Sequence, residues 1–354
     1  MNYIGSKLSL LSFIEESIEQ IAGDVKNKVF CDLFAGTGVV GLHYKKKDCK
    51  IIANDLQYYS YVLNKHLIGN HKVLLFEGLL KEIPDLKSIQ NEERKNIVCD
   101  FLNCLNGKEG FIYKNYCPNE NNDRLYFTPE NGKKCDAIRD KIDEWFKESK
   151  INENEYFFLL ASLLESIDKK ANTASVYGAY LKEFKNSAKQ SIVLNPLPIY
   201  ENDYNHNIYN LDANTLIKDI SCDILYLDPP YNNRQYAPNY HILETIAKND
   251  KPLIMGKTGL RDYSKQKSKY CQKSKVKEEF VDLIENAKAK HIFLSYNNEG
   301  LLNFDDIKEV LSRKGKYGYF EKKHNRFKSD DKRFNLTDYT IEYLHYVIVG
   351  SSTK

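Results

Sequence analysis

Val29-Phe30-Cys31-Asp32-Leu33-Phe34-Ala35-Gly36-Thr37-Gly38-Val39-Val40-Gly41 decides the fold class. A short apolar run broken by one carboxylate stops on glycine, which reads as a buried strand. Residues 38–47 continue as a helix, and Lys50-Ile51-Ile52-Ala53-Asn54-Asp55-Leu56 is a second short apolar strand. Strand, glycine turn, helix and strand in about 28 residues make a βαβ unit, which implies a parallel sheet. Gly36 to Gly41 spells GxGxxG between strand and helix, and Asp55 lies at the end of the next strand. In that geometry glycines let the backbone approach a nucleotide while the carboxylate binds ribose hydroxyls. NAD and S-adenosyl-L-methionine (AdoMet) both fit. Asp32, inside the strand, favours AdoMet, because its charge could face a cationic amino-acid end that a dinucleotide lacks.

Outward from this unit, Leu8, Leu11, Ile14, Ile18 and Ile21 have helical spacing over 8–22. Between 76 and 205 the strand–helix alternation breaks down into apolar helical pieces such as 155–167 and Asn-rich polar stretches. It resumes with Cys222-Asp223-Ile224-Leu225-Tyr226-Leu227, a helix near 275–290, a strand at 291–296 and two strand-like runs in the last 40 residues. The pattern predicts one α/β sheet domain, 1–75 and 206–354, split by an insertion over 76–205.

Composition bounds the alternatives. The 354 residues are 42% hydrophobic and 29% charged, ordinary for a globular chain. Mean hydropathy is −0.57, and no run approaches the ~18 apolar residues of a membrane span. The N-terminus has no small-residue cleavage site, so a cytoplasmic location is expected. The eight cysteines form no CxxC. Cys99, Cys104, Cys117 and Cys135 cluster, but their spacing fits no common zinc pattern, and no metal is expected. Net charge is only +3, yet 251–290 holds eleven Lys/Arg against five acids. That excess suits phosphate contacts or a solvated lysine-rich loop equally.

Asp228-Pro229-Pro230-Tyr231 follows the run ILYL, at the carboxyl end of a strand where open α/β sheets bind ligands. Two prolines remove two N–H donors. Acceptors remain, the Asp228 carboxylate and the Pro229 carbonyl, beside the flat ring of Tyr231. Such a cleft suits an exocyclic amino group on a planar base stacked on the tyrosine. The plainer reading is a strand-ending turn with a packed tyrosine.

These motifs, in this order, resemble the D12 class of DNA adenine-N6 methyltransferases, the Dam-like alpha group of type II restriction–modification systems. Tyr3-Ile4-Gly5-Ser6-Lys7 resembles the family's N-terminal motif against the AdoMet methionine moiety. Asp32, Phe34, Ala35, Gly36, Thr37 and Gly38 resemble its AdoMet loop. Asp55, after Asn54 and before Leu56, resembles the ribose-binding acid. Asp212-Ala213 resembles the segment that contacts the cofactor adenine, and Asp228 to Tyr231 is the catalytic motif in full. The resemblance implies a Rossmann-like class I methyltransferase fold, a mostly parallel seven-stranded sheet, with a largely helical target-recognition region at 76–205. It implies methyl transfer from AdoMet to N6 of an adenine flipped out of double-stranded DNA, without metal. A cognate restriction endonuclease would act on the same site without a stable complex. No cysteine follows a proline, so the Pro-Cys nucleophile of cytosine-C5 enzymes is absent.

Lys257, Arg261, Lys265, Lys267 and Lys269 are the expected phosphate clamp. Arg234 and Tyr236 are placed to meet phosphate or the flipped nucleotide, and Ser295 to Asn298 read equally as a lining of the base pocket or as a plain turn. Ala171 to Gly178 reads equally as packing or DNA contact. An RNA base N-methyltransferase would use the same chemistry. An NAD oxidoreductase would leave Asp228 to Tyr231 unexplained, and a non-catalytic DNA-binding module would not need that tetrapeptide intact.

Overall fold

The buried apolar strands that open the sequence do form a parallel sheet. In the computed structural model, which describes residues 4–325 and 339–350, the strands are β1 (Val29–Asp32), β2 (Lys50–Asn54), β3 (Asn207–Tyr209), β4 (Cys222–Leu227), β5 (Ala289–Asn297), β6 (Gly315–Asn325) and β7 (Tyr339–Val349). Among the described residues they make one seven-stranded sheet in the order β3-β2-β1-β4-β5-β7-β6. The first five run parallel, and β7 pairs antiparallel with β5 and β6. The fold is thus α/β, of the class I methyltransferase type.

Both faces of the sheet are covered, which is why its central strands read as nearly continuous apolar runs. On one face Cys31, Leu33, Ile52, Leu225, Leu227, Ile292 and Leu294 join the core of the helices Val276–Asn286 and Phe304–Ser312. On the other, Phe30 stacks on Tyr44 of the helix Val39–Lys45, ring centroids 3.9 Å apart. β3 escapes sequence reading because it is three residues long and follows an Asn-rich stretch, and it is placed by its pairing with β2 and by Tyr209 packing on the sheet core.

The packing divides the chain into two units at different places from the expected 75 and 206. One contains the sheet, with Lys7–Leu56, His206–Gln235 and the described residues from Gln266 onward. The other contains residues 4–6, Gln57–Asn205 and Tyr236–Lys265. It is built on the helices Asn91–Asn103, Pro129–Lys147 and Glu153–Asp168. The helix His241–Lys248 belongs here because its apolar face, Ile242, Leu243 and Ile246, is buried with Tyr59, Val62 and Leu63. Its Glu244 accepts the Tyr59 N–H, and Arg139 donates to the carbonyls of Ile246 and Ala247. Cys99, Cys117 and Cys135 are buried free thiols of this core, and Cys104 is exposed. Within 171–178, Asn172 and Tyr177 are buried. Asn172 accepts the Lys185 N–H, and Tyr177 donates to Asp168. Those two residues pack.

The basic stretch after this helix folds back as a hairpin closed at Met255 and Leu260. Arg124 donates to the carbonyls of Gly256 and Lys257, and the Tyr116 hydroxyl to that of Gly259. Lys257 is exposed. Arg261 is not: it is 6% exposed, ion-paired with Asp250 and 3.4 Å from the Thr245 hydroxyl. Its place in a phosphate clamp is therefore corrected, since the guanidinium is committed inside the unit. Arg261→Ala should cost about 1–3 kcal/mol in urea unfolding, because it strips partners from Asp250 and Thr245. It should leave the salt slope of DNA binding unchanged. A slope reduced by about one, with stability intact, would restore the phosphate role.

Candidate active site

The end of β1 turns on two glycines in the left-handed region, Gly36 at φ 51° and Gly38 at φ 78°, a conformation that side chains disfavour. Asp32 is the last residue of β1, 2% exposed, and accepts the Gly41 N–H at 3.1 Å. Burial pushes its carboxyl up to about 8, Asp228 adds to the rise, and the Gly41 hydrogen bond opposes it. A cationic group brought beside Asp32 would favour its charged form.

Asp55 accepts the Gly36 N–H at 2.9 Å, so the acid after β2 braces the glycine turn. Asn54 donates to the carbonyls of Leu33 and Leu211, and Asn210 to that of Asp55. These bonds tie the ends of β1 and β2 to the segment after β3. There Asp212 accepts the Thr215 N–H and Ala213 is buried. The Phe34 ring meets Tyr270 edge-on at 5.2 Å. Asp32, Phe34, Ala35, Gly36, Thr37, Gly38, Asp55, Leu56, Asp212 and Ala213 thus gather at the carboxyl ends of β1, β2 and β3 in the sheet unit. Tyr3 lies outside the described residues. Gly5 belongs to the helical unit, where its φ is 79° and a Cβ would sit 2.9 Å from the Tyr236 hydroxyl.

β4 is the neighbour of β1 on the side away from β2, with Asp32 opposite Tyr226. Chain order reverses here, the switch point at which open α/β sheets bind ligands. Asp228 follows two residues on, its side chain 17% exposed. Lys7, 5% exposed, places its ammonium 3.2 Å from Asp228 Oδ1 and 4.0 Å from Glu342 Oε2 of β7. The same ammonium lies 5.7 Å from the Tyr231 ring centre. Burial pushes the Asp228 carboxyl up to about 6, Lys7 holds it down and Glu342 raises it. Burial works against the Lys7 charge, but Asp228 and Glu342 more than offset it and hold the ammonium above its ordinary range.

Pro229 is buried and Pro230 half-buried, and neither carries an N–H. The Tyr231 carbonyl accepts the Leu301 N–H at 2.9 Å. Its ring meets Tyr296 edge-on, 6.0 Å away and inclined by 73°. Ser295, Tyr296 and Asn297 are the last residues of β5, and Asn298 accepts the Ile341 N–H. Gly300 is required in this loop, since a Cβ would lie 2.0 Å from the Tyr296 ring.

Two features of this centre escape sequence reading. One is the Lys7–Asp228 pair, spanning 221 residues. The other is Glu342. Strand alternation puts Glu342 on the face of buried Leu344, and an acid at such a position was the available signal.

The expected clamp is not one cluster within a unit. Lys257, Arg261 and Lys265 belong to the helical unit, and Lys267 and Lys269 to the sheet unit. Lys265 and Lys267 are exposed, and Lys269 is ion-paired with Glu279 at 2.6 Å. Arg234 is exposed in the sheet unit, whereas Tyr236 is in the helical unit, stacked on Tyr240 at 6.5 Å. Among the described residues no three His, Cys, Asp or Glu side chains are grouped to hold a metal ion.

Known proteins are similar to this chain over nearly its whole length. The chain is 49% identical to the type II methyltransferase M.NlaIII of Neisseria lactamica over 98% of each chain. It is 42% identical to the type II methyltransferase M.FokI of Planomicrobium okeanokoites over 98% of this chain, which spans 52% of that protein. It is 36% identical to the type II methyltransferase M.CviAII of Paramecium bursaria Chlorella virus 1, over 99% of this chain and 98% of that one. Residues 3–310 match the family model for D12 class N6 adenine-specific DNA methyltransferases. With a seven-stranded α/β sheet and its acidic strand ends behind that match, the chain belongs to the D12 class N6 adenine-specific DNA methyltransferases.

Proposed function

We propose that this enzyme uses AdoMet to methylate N6 of an adenine flipped out of duplex DNA. Its role would be that of the modification enzyme of a type II restriction–modification system, working in the cytoplasm. A cognate endonuclease would share the target site without a stable complex. The observation that carries the reading is Asp228, a half-shielded carboxylate at the end of β4, one strand from Asp32 and the Gly36–Gly38 turn.

The residues fit AdoMet. Buried Asp32 has room in its chemistry for a cationic partner, since its carboxyl sits at about 8 without one. Asp55 and Leu56 would take the ribose, Asp212 and Ala213 the adenine, and Tyr3, Gly5 and Lys7 the methionine side. AdoMet, when bound, supplies an electrophilic methyl group.

The rest is work for the chain. The flipped adenine stacks on Tyr231. The Asp228 carboxylate and the Pro229 carbonyl accept from the two N6 hydrogens, which draws the nitrogen lone pair out of the ring. As N6 gains its methyl it sheds one proton, which Asp228 takes and, with its carboxyl near 6, releases to water at neutral pH. Positioning and fixed dipoles supply most of the acceleration. Arg234, Tyr236, Lys257, Lys265 and Lys267 are the DNA contacts, Lys269 joining them if Glu279 releases it. The helical region of 76–205 reads the target.

The direct test is transfer of tritium from labelled AdoMet to unmethylated genomic DNA, followed by nucleoside analysis. N6-methyldeoxyadenosine is the expected product, and label in total RNA alone would contradict the reading. Asp228→Ala should lower transfer by about a thousandfold or more while AdoMet affinity changes less than about threefold. Tyr231→Ala should lose far more activity than Tyr231→Phe, because stacking needs the ring and not the hydroxyl. Equal losses would assign the role to the hydroxyl.

The pH profile follows from Asp228. Its carboxyl is raised from the ordinary range to about 6, so the accepting form is lost as pH falls through about 6. Transfer measured as kcat/KM should then drop about tenfold per pH unit below that point. A rate still flat at pH 5 would contradict this.

A further inference from the structure

Glu342 has no part in the reaction described so far, yet it stands at its centre. It lies on β7 opposite Asn297 of β5, with its side chain 8% exposed. Oε2 accepts no hydrogen bond among the described residues. Buried carboxylates nearly always have such partners, so a lone one calls for a reason. Its nearest cation is the Lys7 ammonium at 4.0 Å, against 3.2 Å from that ammonium to Asp228. Lys7 therefore has a half-shielded carboxylate on one side and a buried one on the other, and is hydrogen-bonded only to the first.

That bond has a consequence for Asp228. An ammonium on Oδ1 takes one of the carboxylate's roughly four acceptor sites and draws charge from the others, which weakens their pull on the adenine amino group. A shift of about 1.2 Å would bring Lys7 to hydrogen-bond distance of Glu342. We propose that Glu342 is the positioning residue of the centre: it is the second seat of Lys7, receiving the ammonium when N6 takes its place on Asp228. The inference rests on the reading of Asp228 as the N6 acceptor.

Other charged and titratable groups bear on Asp228. Lys7 approaches from the N-terminal segment, Glu342 from β7, Tyr231 from the loop after β4, Asp32 from β1 and Tyr226 from β4 itself. Of these, Lys7 holds the Asp228 carboxyl down and Glu342 raises it. Removing the Glu342 charge therefore eases ionisation of Asp228 twice over: a like charge is gone, and Lys7 is left wholly on Asp228. The acid limb of the rate profile moves down, while the rate itself falls because the ammonium has nowhere else to go.

The test uses the full chain as wild type, Glu342→Gln and Glu342→Asp. Initial transfer from tritiated AdoMet to unmethylated genomic DNA is followed against pH, with AdoMet affinity by calorimetry and the melting temperature alongside. Glu342→Gln should lower the saturating rate by about tenfold and keep AdoMet affinity within about threefold. It should also move the acid limb down by about half a pH unit or more. Glu342→Asp keeps the charge, so its limb should stay with the wild type and most of the rate should return. A Glu342→Gln enzyme with wild-type rate and an unmoved limb overturns the inference. So does an equal loss in both variants with lowered melting temperature and unmoved limbs, which would make Glu342 a packing residue. Asp228→Asn separates the two layers. Undiminished transfer in that variant defeats the reading of Asp228 itself. If that variant is inactive while Glu342→Gln behaves as wild type, only the role of Glu342 falls.

Discussion

The centre of this enzyme depends on one constraint: a carboxylate kept ionised where water is scarce. In the proposed reaction Asp228 accepts hydrogen bonds, and burial pushes its carboxyl toward the neutral form. Lys7 opposes that from 3.2 Å, and Glu342, 4.0 Å from the same ammonium, works against Lys7 by raising the Asp228 carboxyl. A buried pair of opposite charges is weak evidence for stability. Here the three charges are better understood as tuning. They leave the Asp228 carboxyl at about 6, low enough to be ionised at neutral pH and high enough to take a proton briefly.

The sheet makes that tuning achievable. β1 and β4 are neighbours, so the strand-end acids Asp32 and Asp228 come within electrostatic reach, and Asp228 raises the cost of charging Asp32. β7 runs antiparallel to β5 and carries Glu342 to the same end of the sheet, opposite Asn297. No local preference of residues 339–349 for strand would place an acid there. The pairing register does so.

Much of this was legible in the chain because some chemistry is local. The β1 turn has glycine at 36 and 38 in the left-handed region, and Asp-Pro-Pro-Tyr closes β4, so both leave marks within a few residues. What was not legible is what two distant segments make together. Lys7 was read as a cofactor contact, and its ion pair with Asp228 exists only in the folded sheet. Arg261 looked like a surface cation, since nothing in its own stretch announces that Asp250 and Thr245 enclose it. The helix His241–Lys248 followed Asp228 to Tyr231 so closely that it read as part of the sheet domain. Its apolar face instead completes the core around Tyr59 and Leu63.

The central claim concerns the ionisation of one carboxyl in the free enzyme, and carboxyl-carbon NMR on selectively labelled aspartate measures it without any turnover. Asp228→Asn identifies the signal, and Lys7→Gln removes the opposing charge. The account predicts a midpoint near 6 in the wild type and a clearly higher one in Lys7→Gln, by about one pH unit or more. An Asp228 midpoint in the ordinary range near 4 that ignores the loss of Lys7 would contradict it.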